Sequence, residues 1–176
     1  RMMSLGNTYS KEEIESFIDR VKKTIEAPVE FVCELKYDGV AISVIYKNGE
    51  LFQAITRGDG TQGDEITNNV KTIGSIPLKL KAPFPPELEI RGEIFMTLSG
   101  FEKLNVDRVE AGFEPFANPR NSAAGTLKMQ DSSIVAKRPL DTYLYFVISP
   151  ESNFKTHTES LVSATKWGFK VPQLKD

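Results

Sequence analysis

The chain is poor in the residues that most often announce a site. It has one cysteine, one histidine and one tryptophan among 176 residues. A single cysteine excludes an internal disulfide and any cysteine-rich zinc site. No apolar run approaches the length needed to span a membrane, and Met2 and Met3 begin no long apolar segment of the kind a signal peptide needs. A net charge of −2 excludes a broadly basic nucleic-acid wrap, so a DNA partner would need local basic patches. Glycine-rich phosphate loops of the P-loop or dinucleotide type are missing, as are internal repeats and low-complexity tracts. His157 precedes a helix start, which gives little ground for catalysis. What remains is an ordinary soluble composition, 40% hydrophobic and 26% charged, long enough for one well-buried domain.

The densest chemistry is Glu34-Leu35-Lys36-Tyr37-Asp38-Gly39. The run before Gly39 alternates, which predicts a strand with Val32, Glu34 and Lys36 on one face and Phe31, Cys33 and Leu35 on the other. On that reading Cys33 is a small core residue. An amine beside a carboxylate, followed by glycine, can serve as a covalent nucleophile. It is also what an ordinary surface ion pair before a turn looks like.

Val40 to Tyr46 and Leu51 to Arg57 are two β-branched apolar runs around Asn48-Gly49, the strongest short hairpin signal. Counting out from that turn pairs Lys47 with Glu50, Tyr46 with Leu51, Ile42 with Ile55 and Val40 with Arg57. Arg57 thereby returns to the side of Asp38 and Gly39, provided that no bulge intervenes. A guanidinium suits phosphate oxygens. Desolvation and neighbouring cations would favour the neutral amine that attack requires.

Elsewhere, Ser10-Lys11-Glu12-Glu13 reads as a capping box before an amphipathic helix whose stripe Ile14, Phe17, Ile18, Val21 and Ile25 is expected in the core. A short helix is expected within 61–72 and a strand at 76–80. Leu88, Ile90 and Ile94 alternate with Glu89, Arg91 and Glu93 in another strand, Glu89 being read as surface. Leu98 to Gly112 reads as a helix capped by Ser99. Asn118-Pro119 starts a helix whose first turn carries Arg120, a candidate anion site with the terminal amides. Thr142 to Ser149 is a strand, and Thr156 caps a last helix that stops at Gly168. Hairpins mixed with helices give an α+β class, antiparallel sheets with flanking helices.

With Lys36-x-Asp38-Gly39 in hand, the chain resembles the nucleotidyltransferases that form lysyl-AMP: DNA ligases, RNA ligases and capping enzymes. It is most similar to the adenylation domain of NAD-dependent bacterial DNA ligases. Val40-Ala41-Ile42 follows Gly39, where ATP-dependent ligases usually carry an arginine two residues after the glycine. Thr56-Arg57-Gly58-Asp59-Gly60-Thr61, Glu89 to Phe95 and Phe116-Ala117-Asn118-Pro119-Arg120-Asn121-Ser122-Ala123-Ala124-Gly125-Thr126-Leu127 complete four ordered motifs.

The resemblance implies a DNA ligase and capping-enzyme nucleotidyltransferase fold. It implies catalytic roles for Lys36, which would become adenylated, and Asp38. Nucleotide contacts would come from Ser4, Leu5, Glu34, Lys36, Arg57 and Glu93, with Glu34 near the adenine and Glu93 on a ribose hydroxyl. Arg120 and Lys128 would contact nucleic acid, Lys128 standing where many relatives have arginine. NAD and Mg2+ are the implied ligands, with zinc only in a module outside this chain, and no metal ligand is assigned. The implied partners are NAD or AMP and nicked duplex DNA in the full-length enzyme, the protein being a cytoplasmic monomer without a membrane partner. Arg1 at the first position and the missing later motifs lead us to expect a partial adenylation domain over 1–176. The domain that grips the nicotinamide end and the C-terminal modules are expected to lie outside it, leaving the isolated chain weakly active or inactive. The alternatives left open are an ATP-dependent ligase or capping-type enzyme, and a non-catalytic nucleotide-binding module.

Overall fold

A computed structural model describes residues 1–3, 6–25 and 27–173. Four antiparallel strands form one sheet: β1 (Val40–Lys47), β2 (Glu50–Thr56), β3 (Glu87–Met96) and β4 (Leu140–Ile148), in the order β2-β1-β3-β4. Around them lie α1 (Lys11–Thr24), α2 (Thr67–Val70), α3 (Leu98–Glu110), α4 (Pro119–Leu127), α5 (Ser132–Val135) and α6 (His157–Trp167). The α+β expectation holds.

The sheet forms where the period-2 pattern is clean. Leu88, Ile90 and Ile94 of β3 are buried together with Ile42, Val44 and Tyr46 of β1. Leu127 of α4 and Ala164 and Trp167 of α6 belong to the same core. Each such side chain withdrawn from water contributes about 1.5–3 kcal/mol. The large side chains with polar atoms carried inward find partners, Tyr46 Oη donating to Pro77 O at 2.6 Å and Trp167 Nε1 to Pro83 O at 2.7 Å, while the buried hydroxyls of Ser75 and Ser122 have none among the described residues.

The turn between β1 and β2 is as expected, with positive φ at Asn48 (50°) and Gly49 (76°). The register is not. Lys47 faces Glu50 and Tyr46 faces Leu51, but a bulge at Phe52 then moves Ile42 opposite Thr56. Phe52 gains a Lys47 ammonium 3.9 Å above its ring. Arg57 still arrives at the start of β1, its N–H donating to Ala41 O at 2.8 Å rather than pairing with Val40.

Several other expectations are corrected. Residues 28–38 join no strand, so Cys33 is exposed rather than packed in the core. Helix α1 has the predicted Ser10 cap, accepting from Glu13 N at 3.2 Å, yet none of its residues is buried. Ile14, Phe17 and Ile25 of the expected stripe are exposed, and the ring of Phe31 lies edge-on to Phe17 at 6.3 Å. Residues 76–80 form a single bridge, Lys79 to Glu50, because only the backbone around Leu78 and Leu80 reaches β2. Helix α3 is capped by Thr97, not Ser99, its side chain accepting from Gly100 N. Glu89 is half-buried, accepting from Ser43 Oγ at 2.8 Å and Arg91 Nε at 2.6 Å.

Candidate active site

The site is assembled where the chain enters β1. Gly39 donates its N–H to Glu93 Oε1 at 3.2 Å, which fastens the end of the Lys36-x-Asp38-Gly39 motif to β3. A side chain at position 39 would not fit, since a Cβ there would lie 2.2 Å from Ile94 O. Glycine is required by this close approach of two backbones.

Glu93 stands at the centre. Burial pushes its carboxyl above the usual range, opposed by the Gly39 N–H and the charges of Lys36 and Arg120. Tyr145 Oη lies 3.5 Å from its other oxygen. The Tyr145 hydroxyl is pushed up to about 12, first by burial and then by the Glu93 charge, with Arg57 opposing and Glu34 adding. Lys36, Arg57, Arg120 and Glu34 therefore all lie within electrostatic reach of this Glu93–Tyr145 pair. Lys36 itself is exposed, so the burial expected to favour its neutral amine is not present here.

Asp38 extends from the motif to Arg120, whose Nη1 donates to Asp38 Oδ1 at 3.0 Å. Arg120 occupies the first turn of α4, which Asn118 caps by accepting from Asn121 N at 2.8 Å. The sequence placed Arg120 beside helix-terminal amides; the fold also delivers it across 82 residues to the nucleophile motif. Lys128, at the other end of α4, pairs with Asp64 at 2.9 Å and holds that carboxyl below its usual range. A cleft of about 210 Å³ opens between these groups, lined by Gly39, Val40, Ala41, Arg57, Arg120 and Lys128 among others. A neighbouring cleft of about 370 Å³ is larger, but among the candidate site residues it is lined only by Lys128. The convergent chemistry favours the smaller one.

The segment carrying Lys36 is steadied by rings. Tyr37 stacks on Tyr143 at 4.5 Å between centroids and on Phe95 at 5.8 Å. Glu34 accepts from His157 at 2.6 Å rather than pairing with Lys36. Tyr37, Tyr143, Tyr145 and His157 were not legible as site residues. The one available signal was a tyrosine pair on a strand otherwise read only as apolar. Ser4 and Leu5 lie outside the described residues. Among the described residues no three His, Cys, Asp or Glu side chains gather into a metal cage, and no helix is long and apolar enough to cross a membrane.

The model of the NAD-dependent DNA ligase adenylation domain matches residues 1–176. The chain belongs to that family. A DNA ligase of Christiangramia forsetii is 55% identical over all of this chain and 27% of its own length. A DNA ligase of Flavobacterium psychrophilum is 53% identical over 98% of the chain and 26% of its own length. One of Bacteroides fragilis is 54% identical over 98% and 26%. The chain thus spans about a quarter of the length of these relatives.

Proposed function

We propose that this chain supplies the adenylyl-transfer centre of an NAD-dependent DNA ligase and carries part of the DNA ligase and capping-enzyme nucleotidyltransferase fold. The observation that carries the reading is the Gly39 N–H bond to Glu93, which sets the lysine motif against a half-buried acid within reach of the Lys36 and Arg120 charges. Membership in an NAD-dependent family favours NAD over the ATP- or GTP-using alternatives.

In this reading the neutral Lys36 amine attacks the α-phosphorus of NAD. A P–N bond forms, the P–O bond to nicotinamide mononucleotide breaks, and the adenylyl group stays on Lys36 as a phosphoramidate. Arg57 holds phosphate oxygens through its fork. Glu93 accepts from a ribose hydroxyl, its place fixed by the Gly39 N–H and Tyr145. Glu34 accepts from the adenine. Asp38 keeps Arg120 beside the motif until nucleic acid competes for that guanidinium. Ser4 and Leu5 complete the nucleotide contacts. A Mg2+ would be held by Asp38 together with phosphate oxygens and would supply charge neutralisation.

In the whole protein the adenylyl group passes to the 5′-phosphate at a DNA nick, Arg120 and Lys128 contacting the nucleic acid, and the 3′-hydroxyl then displaces AMP. Intact mass after incubation with NAD and Mg2+ tests the first step. A gain of one adenylyl group that disappears in Lys36→Ala supports the reading. A gain that persists in Lys36→Ala contradicts it.

A further inference from the structure

We propose that His157 is a positioning residue for Glu34, orienting its carboxylate toward a purine and fixing the N-terminal flank of Lys36. The idea rests on the nucleotide-site reading above. Residues 28–38 take part in no strand ladder, so their placement depends on side chains. Downstream of Lys36 the ties are Tyr37 on Tyr143 and Asp38 to Arg120. Upstream, His157 Nε2 meets Glu34 Oε1 at 2.6 Å, joining positions 123 residues apart.

The anchor is firm where the strap is not. His157 is the first residue of α6, whose cap Thr156 accepts from Glu159 N at 3.1 Å and whose Leu161, Ala164 and Trp167 are buried. Its carbonyl accepts from Ser160 Oγ at 2.7 Å, and Phe146 stacks on its ring at 6.5 Å. The imidazole and the carboxylate are only 31% and 23% exposed, against 56% and 74% for the Arg120–Asp38 pair, so this contact is the less screened of the two. An ionised carboxylate only accepts, so Nε2 carries the hydrogen.

The bond occupies one oxygen of Glu34 and leaves the other, Oε2, to accept from a donor. Glu34 lies two residues before Lys36, on the segment that runs into the cleft at Gly39. An acceptor held there selects a 6-amino purine over a 6-oxo purine, because the latter presents a carbonyl to a carboxylate. His157 would thereby set both where Lys36 lies and which base is taken.

The test uses this chain, with AMP and IMP as probes and the rate of tryptic cleavage after Lys36 as the measure of how firmly the segment is held. In His157→Ala, cleavage after Lys36 should accelerate, and the preference for AMP over IMP should fall roughly tenfold, as loss of a charge-assisted hydrogen bond implies. His157→Gln, whose amide can still donate, should restore most of both. Glu34→Ala should free the segment equally, and adding His157→Ala to it should do nothing further. An unchanged cleavage rate in His157→Ala overturns the proposal, and so does a wild-type chain that binds AMP and IMP alike. Adenylation reads separately: an adenylyl gain that persists in Lys36→Ala, with the tether intact, would sink the proposed function instead.

Discussion

Strands β1 and β3 each lie between two ladder neighbours and bury one face in the core, whereas no residue of α1 is buried and residues 28–38 join no ladder. Both regions carry apolar residues at a regular period. The difference is that one face is buried and the other stays largely exposed. The acid and arginine at the centre of the proposed site, Glu93 and Arg57, stand on or just beyond the rigid strands. The proposed nucleophile stands on the loosely held strap. Such a division suits a lysine that must first meet a nucleotide and then hand it on.

The sharpest break of this comparison lies in the core. Ile90→Ala, at a fully buried position of β3, should lower stability by about 2–5 kcal/mol in chemical denaturation. A loss below about 1 kcal/mol would mean the sheet is not the scaffold. Asn118→Ala removes the cap of the helix that delivers Arg120 and should cost about 0.5–2 kcal/mol, read in the same experiment.

Glu93 sharpens the comparison through pH. Its folded carboxyl is raised by burial, so the stability it contributes is fully present below its unfolded value and lost as pH rises through the folded one. Its ionised form is therefore a burden near neutrality. Glu93→Gln should melt higher than wild type at pH 7, with the gap closing below the ordinary glutamate value of ~4.3. Adenylation should fall in the same variant, a trade of activity for stability. The smallest effect is expected on α1, where Phe17→Ala at a 45% exposed site should change stability by no more than about 0.5 kcal/mol.

The sequence made legible whatever local rules decide. Asn48-Gly49 could only be a tight reversal, the β3 alternation marked its buried face, and Asn118-Pro119 announced a helix start. The turn brought Arg57 back beside Asp38 and the resemblance added Glu93 and Arg120; the fold sets Arg57 against Ala41, Asp38 on Arg120 and the Gly39 N–H on Glu93. What escaped depended on partners far along the chain. The Phe52 bulge cannot be read from a turn and shifted the pairing by one residue. The period of Ile14 and Phe17 is that of a core helix, and only their exposure in the fold shows otherwise. Thr97 caps α3 in place of Ser99 because a helix start is fixed by backbone geometry that either hydroxyl can satisfy. His157 looked idle because its partner, Glu34, lies 123 residues away.

The central claim is that a nucleotide occupies the cleft lined by Gly39, Arg57 and Arg120, at the end of the Lys36 motif. A crystal structure of this chain soaked with AMP tests it most directly. The account predicts the phosphate between the Lys36 amine and the Arg57 guanidinium, with a ribose hydroxyl on Glu93. AMP bound instead in the neighbouring cleft beside Asn68 and Gln130, with Lys36 untouched, would contradict it.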